Sequence, residues 1–259
     1  MGKLSKMKQF KTYCLTSLPL IVFLLIWEFL VSPIGKNTFL FSKPSLILKS
    51  LKENTINLIL PYDFLITGLE TLLGFLLGNL IGILLGFGLW YSTKLAEISR
   101  PYIIAIGSVP VFALAPITII WFGTGIFAKV MLATISTFTI ALIQAYTGAK
   151  NADKNQIKLL KTFGANKNQI FFKIIIPSSL TWVLSSLKLN VSFALLGAFI
   201  GEFISAENGL GFRMIKASSL YNTSLLFSAL LYFLILSFIF NYAINILEKK
   251  VLFWKEKSN

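Results

Sequence analysis

Few residues in this 259-residue chain could carry out chemistry. It has no histidine and one cysteine, Cys14. That inventory excludes an intrachain disulfide, a zinc site and any histidine-based catalytic centre. No GxxxxGK(S/T) loop is present to cradle nucleotide phosphates, so the chain carries no ATP-hydrolysing machinery of its own. The remaining candidates are charges inside apolar runs: Lys188 and Glu202 within one run, and Glu28 near the end of another. Lys188 and Glu202 would lie about 21 Å apart along one helix, so they do not pair with each other. A charge in such a place faces a bundle interior or snorkels to an interface. Glu202 is thus either an outer-gate or docking residue or an ordinary interfacial carboxylate. No nucleophile–base pair assembles from this set beyond what serine and lysine alone could form. The carboxylates also show no intramembrane pairing suited to a proton or sodium relay.

The elements that would hold these residues are membrane helices. The chain is 56% hydrophobic and 13% charged, with a mean hydropathy of +0.77. A water-exposed fold of this length could not hide that much apolar surface. Apolar runs at 15–32, 69–91, 102–122, 127–148, 178–204 and 223–247 reach the length needed to cross about 30 Å of hydrocarbon. The expected fold is an all-α bundle of about six transmembrane helices, because a lipid-exposed segment must satisfy its own backbone. The first run follows four lysines, lacks a small-x-small cleavage site and carries Trp27 and Glu28, so it reads as a retained anchor.

The net charge of +14 comes from cations lying between and outside these runs. That is the pattern of membrane loops, and it does not build a basic groove for nucleic acid. With both termini inside, inner segments hold sixteen Lys and Arg and outer ones seven, which favours two cytoplasmic termini. The chain then divides into a basic cytoplasmic N-terminus (1–14), a first span with its external segment (15–68), a core (69–248) and a basic tail (249–259). An amphipathic piece at Ser45–Glu53 is expected along the outer surface.

Two spans show further patterning. Gly74, Gly78, Gly82 and Gly86 recur every fourth residue and form a ridge along one helix face. Such a ridge lets another backbone approach closely, either as the crossing of a moving bundle or as static packing. Pro110 and Pro116, with Ser108 just before, interrupt the next span. Carbonyls freed at membrane depth need protein or a watery cavity around them, so this is a pathway-lining helix or a kinked packing helix.

The segment 151–177 is too long for a simple connection. Lys154, Lys158 and Lys161 fall on one side of a helical wheel, with Leu159, Leu160 and Phe163 opposite. Gly164 follows at a C′-like position, then a second helical stretch, and Pro177 marks entry to the fifth span. A helix–glycine–helix hairpin suits docking into a partner's groove or resting on anionic headgroups.

The spacing here resembles the permease subunits of bacterial ABC importers, whose cytoplasmic loop reads E-A-A, three residues, G, nine residues, I-x-L-P. Gly164-Ala165 is followed by Ile174, Ile175, Ile176 and Pro177 at that separation, while Lys158, Leu159 and Leu160 occupy the E-A-A positions. The resemblance covers roughly 40–250. It continues through the glycine-rich span, Ser108-Val109-Pro110 to Ala113-Leu114-Ala115-Pro116, Trp121 to Gly125, Lys129, Gly201-Glu202-Phe203-Ile204 and Asn208 to Gly211. It is similar in particular to the subfamily importing nitrate, taurine, sulfonates and vitamin precursors.

The resemblance implies that Lys158, Leu159, Leu160, Gly164, Ala165, Ile174 and Pro177 couple to a separate ATPase. That partner, and not this chain, would hold ATP and magnesium; no cofactor or metal is expected here. It also implies an extracytoplasmic solute-binding protein, for which Glu207, Arg213 and Lys216 lie on the outer face, and a second permease copy as a homodimer. The pathway candidates are Ser108, Pro110, Pro116 and Glu202. The expected setting is the bacterial cytoplasmic membrane. The expected cargo is a small anion such as a sulfonate, taurine or nitrate, with a vitamin precursor next. A stand-alone channel or secondary transporter fits less well, since the chain shows no duplicated halves.

Overall fold

A computed structural model describes residues 18–19, 21–29, 40–205 and 207–251, and among these every regular element is helical. The N-terminus 1–14, Cys14 and the tail beyond Val251 lie outside the described residues, as does much of the first expected span, of which 21–29 is helical. Four described helices are long and apolar enough to cross a membrane, and a bent pair makes five.

The chain forms two compact units. The smaller takes the described residues up to Pro61 together with Arg213–Leu231. Its helix α1, Pro44–Ile56, starts on a proline whose missing N–H costs nothing at that position. The Ser45 backbone N–H and hydroxyl donate to the Glu28 carboxylate at 2.9 and 2.8 Å, so an acidic side chain sits at a helix N-terminus, where the dipole favours it. The Trp27 and Phe227 rings meet edge to face at 5.2 Å, and the Ser228 hydroxyl donates to the Ile47 carbonyl.

The larger unit takes Tyr62–Phe212 together with the residues from Tyr232 onward. Most of helix α2, Ile59–Trp90, belongs here. Helix α3, Thr93–Ser108, and helix α4, Val111–Phe122, follow with a bend of 93° between them. Of the two prolines expected to interrupt this span, only Pro110 does so. Val109 is held extended by the proline after it, and Pro110 then caps α4. Pro116 and Pro101 sit inside their helices without breaking them, and α3 begins at Thr93, where a loop was expected.

Helix α5, Ile126–Lys150, is the centre of this unit. Its buried residues are mainly small: Ala128, Ala133, Ala141, Ala145, Ala149 and Gly148, with Thr134, Ser136 and Thr137. The three hydroxyls bond back to the carbonyls of Val130, Leu132 and Ala133, so none faces hydrocarbon unpaired.

The glycine ridge of α2 lies on this helix. A Cβ at Gly74, Gly78, Gly82 or Gly86 would meet Ala133, Thr137, Ala141 or Ala145 in turn, at 2.0 to 2.8 Å. The constant offset makes the two helices parallel, at backbone contact. Helix α8, Ile176–Ser205, runs antiparallel to α5, with Gly197 against Ala133 and Gly201 against Lys129. Helix α9, Leu210–Ser219, and helix α10, Thr223–Val251, complete the described chain. Lys188 of α8 pairs with Glu248 of α10 at 2.5 Å, which satisfies the charge left single by the sequence.

Candidate functional site

The connecting segment folds as a helix–glycine–helix hairpin. Helix α6, Lys154–Thr162, starts on Asp153, whose carboxylate accepts the Asn155 N–H at 2.8 Å. It ends in a Schellman motif: the Ala165 N–H donates to the Leu160 carbonyl and the Gly164 N–H to the Lys161 carbonyl. Gly164 takes a φ of +78°, which glycine adopts without Cβ strain. Helix α7, Lys167–Ile170, opens with a capping box between Asn166 and Gln169.

A π turn over Phe171–Ile175 then leads directly into α8. Pro177, expected at the entry to the fifth span, is the second residue of α8, just after the π turn. Proline offers no donor and crowds the carbonyl four residues back; the Ile176 N–H reaches the Phe171 carbonyl five residues back, widening the turn just ahead.

The structure splits the apolar face expected on α6. Leu160 turns inward with Ile157 and Ala165 against a buried cluster that includes Ile170, Phe171, Ile174 and Ile175. Leu159 and Phe163, one turn apart, point outward and are 57% and 77% exposed. Lys158 is exposed beside them.

The second arm of the hairpin is clamped to the end of α2. Lys167 donates to the Tyr91 carbonyl at 2.6 Å and lies over the Trp90 and Tyr91 rings. The Phe171 ring packs against Phe87, Trp90 and Tyr91 at centroid distances of 5.8, 5.5 and 4.9 Å.

A second feature lies at the α3–α4 bend. A chamber of about 470 Å³ opens there, lined by Ile, Val and Leu side chains with Phe193, Ser108, Ser136 and Thr139. No charged side chain lines it. Ser108 therefore joins the chamber and Pro110 creates the bend beside it. Pro116 and Glu202 do not line it.

Glu202 belongs to a polar knot within the larger unit. Its carboxylate accepts from the Thr67 hydroxyl at 2.6 Å and from the Gly211 N–H at 2.7 Å. The Asp63 carboxylate accepts the Gly209 N–H at 2.9 Å, and the Thr67 hydroxyl oxygen accepts the Leu210 N–H at 2.9 Å. Three successive amides opening α9 are thus satisfied by α2 and α8 side chains.

Glu70 also meets the Glu202 side chain, and the buried Lys129 of α5 donates to the Thr124 carbonyl. No paired intramembrane carboxylates were expected; Glu70 and Glu202 form such a pair. Asp63, Thr67 and Glu70 share a helix face at spacings of four and three, a signal hidden by starting that span at residue 69. Glu202 is 1% exposed, so its carboxylate is not free to meet a docking partner.

Residues 78–253 match the family described as "Binding-protein-dependent transport system inner membrane component". The chain belongs to that family. This inner membrane component is 29% identical to the formylaminopyrimidine transport permease protein of Halalkalibacterium halodurans, over 92% of its own length and 94% of the relative's. It is 30% identical to the riboflavin transport system permease protein of Chloroflexus aurantiacus, covering 91% and 88%. The taurine transport system permease protein of Escherichia coli is 25% identical over 62% and 56%. The fold is similar to a chain of the MetNI methionine ABC transporter in inward-facing conformations, with a TM-score of 0.67 and 19% identity, covering 77% of this chain and 98% of that one.

Proposed function

We propose that this ABC importer permease moves its solute by alternating access, driven by a separate ATPase that receives the 151–177 hairpin on the cytoplasmic side. The observation that carries this reading is the exposed Leu159–Phe163 pair on a hairpin whose other arm is locked to α2. A docking helix must offer an apolar knob and also transmit what its partner does to it. Force on α6 would pass through the Phe171–Trp90–Tyr91 clamp to α2, and through the glycine ridge to α5. ATP and magnesium would sit on the partner, both termini in the cytoplasm, and a second copy of the chain would complete the pathway. A solute-binding protein would deliver the cargo outside.

The cargo this chamber fits best is an uncharged or weakly charged planar heterocycle. Its wall offers an aromatic ring, aliphatic side chains and three hydroxyls, and no cation that would receive a sulfonate or nitrate. The formylaminopyrimidine and riboflavin permeases also match over more of the chain than the taurine one. This reverses the order of preference read from the sequence.

Affinity purification of the tagged chain from its host membrane tests the coupling. A P-loop ATPase should co-purify with the native chain and be lost from a Leu159→Asp/Phe163→Asp variant. Because both side chains are exposed, that variant should keep its fold. Recovery of the chain alone, with uptake intact in that variant, would sink the reading. The chamber has its own check: Val109→Trp fills space at the bend and should cut uptake at least tenfold while leaving ATPase recovery unchanged.

A further inference from the structure

A second cavity, of about 630 Å³, lies between the end of α2, the first half of α3 and the last turns of α5. Its wall has two halves. Leu89, Leu142, Ile103, Ile104 and Ile143 supply an aliphatic face, and the last three are shared with the chamber at the bend. Arg100 and Lys150 stand on the wall as well, with Glu97, Thr93, Thr147 and Tyr146. Both cations are exposed, and neither makes an ion pair among the described residues. Ile104 and Ile143 are 58% and 42% exposed, so the aliphatic face is open from the side.

An unpaired guanidinium and ammonium over an open aliphatic wall match an amphipathic molecule with an anionic head. Arginine recognises phosphate oxygens through its planar fork, lysine adds a point charge, and threonine and tyrosine hydroxyls can donate to the same oxygens. One carboxylate against two cations leaves the rim net positive. The count of Lys and Arg along the chain puts this end of the bundle at the cytoplasmic leaflet, whose anionic lipids are drawn to such cations. We infer that this cavity is a binding site for an anionic phospholipid, with the phosphate held by Arg100 and Lys150 and an acyl chain lying along Ile103, Ile104 and Ile143. The site borders the proposed cargo chamber through those three isoleucines, so its test reads binding rather than uptake.

The full chain, purified in a neutral detergent, is titrated with dioleoylphosphatidylglycerol and bound lipid is counted by native mass spectrometry. Saturable binding is expected, at least tenfold weaker in Arg100→Gln/Lys150→Gln and weaker again on filling the aliphatic wall with Ile143→Trp. Unaltered melting of the charge variant shows that its fold is kept. Dioleoylphosphatidylcholine, which carries the phosphate without net charge, should bind at least tenfold more weakly than the glycerol lipid. Equal binding of the two lipids, or unchanged affinity in the charge variant, overturns the site. Hexyl phosphate separates the sources: if it binds as tightly as the lipid, the ligand is a soluble phosphate ester and the lipid assignment fails.

Discussion

Replacing Gly78 by alanine should destabilise the chain by about 2–3 kcal/mol, the upper range for forcing extra volume into a packed interior. The new Cβ would stand 2.0 Å from the Thr137 hydroxyl oxygen and 2.5 Å from the Thr134 carbonyl. The hydroxyl can rotate away, but the carbonyl belongs to the backbone of α5, so the helices themselves must separate. Separation also weakens the neighbouring contacts at Gly74 and Gly82, because all three lie on one ridge. Gly88 of the same helix is the control. A Cβ there meets nothing within 4 Å, so Gly88→Ala should be neutral or stabilise by about 0.5–1 kcal/mol through the lower helix propensity of glycine. Unfolding of both variants in mixed micelles, monitored by circular dichroism, gives the comparison. Equal stability of the two would show that α2 and α5 are not in backbone contact.

The second large effect is expected at Glu202. Truncation to alanine removes the acceptor for the buried Gly211 N–H and for the Thr67 hydroxyl. Thr67 has a second acceptor in the Asp63 carbonyl at 3.0 Å, whereas among the described residues the Gly211 amide has no other. An orphaned buried donor costs about 1–3 kcal/mol, and the vacated volume adds to it. Glu202→Ala should therefore cost about 3 kcal/mol, with the Gly211 amide exchanging its hydrogen much faster. Glu202→Gln keeps the shape and one acceptor but turns an NH2 group toward a donor, so its loss should be smaller.

Gly209→Ala attacks the same knot from the other side. Its φ of +109° disfavours any side chain, and the Cβ would fall 2.2 Å from the Glu202 oxygen that accepts the Thr67 hydroxyl, on a carboxylate whose other oxygen accepts the Gly211 N–H. Should the alanine variants at 202 and 209 exchange the Gly211 amide no faster than the native chain, the knot is not what orders the start of α9.

How far these features were legible depended on whether they are local. The glycine ridge and the left-handed Gly164 could be read directly, because spacing along one helix and the end of one helix are properties of neighbouring residues. The α6 face was read only in part. A helical wheel groups Leu159, Leu160 and Phe163, but which of them turns inward is decided by Ile170, Phe171 and Ile174 on the other arm. The polar knot escaped altogether. Glu202 finds Thr67 and Glu70 on a helix far away in sequence, and no local periodicity points from one to the other. Pro116 misled because a proline scores as a break wherever it falls, while the structure bends at Pro110 and carries Pro116 and Pro101 inside intact helices.

The ridge between α2 and α5 also poses an alignment problem. Four glycines at intervals of four face Ala133, Thr137, Ala141 and Ala145, which repeat at the same interval. Slide one helix past the other by a single repeat, about 6 Å, and the steric fit is nearly restored. Shape alone is thus almost degenerate between the native alignment and its slipped neighbours, like two identical combs. The degeneracy is lifted by polar groups that do not repeat. Asn190 of α8 donates both to the Asn79 side chain at 2.6 Å and to the Thr137 carbonyl at 3.1 Å, bridging the two helices at one place only. A slip of α2 by one repeat would bring Phe75 or Ile83 to the place of Asn79 and take that acceptor from the Asn190 amide, in a medium that offers no water in exchange. The small residues bring the two helices together, and the paired asparagines choose where along their length they stop.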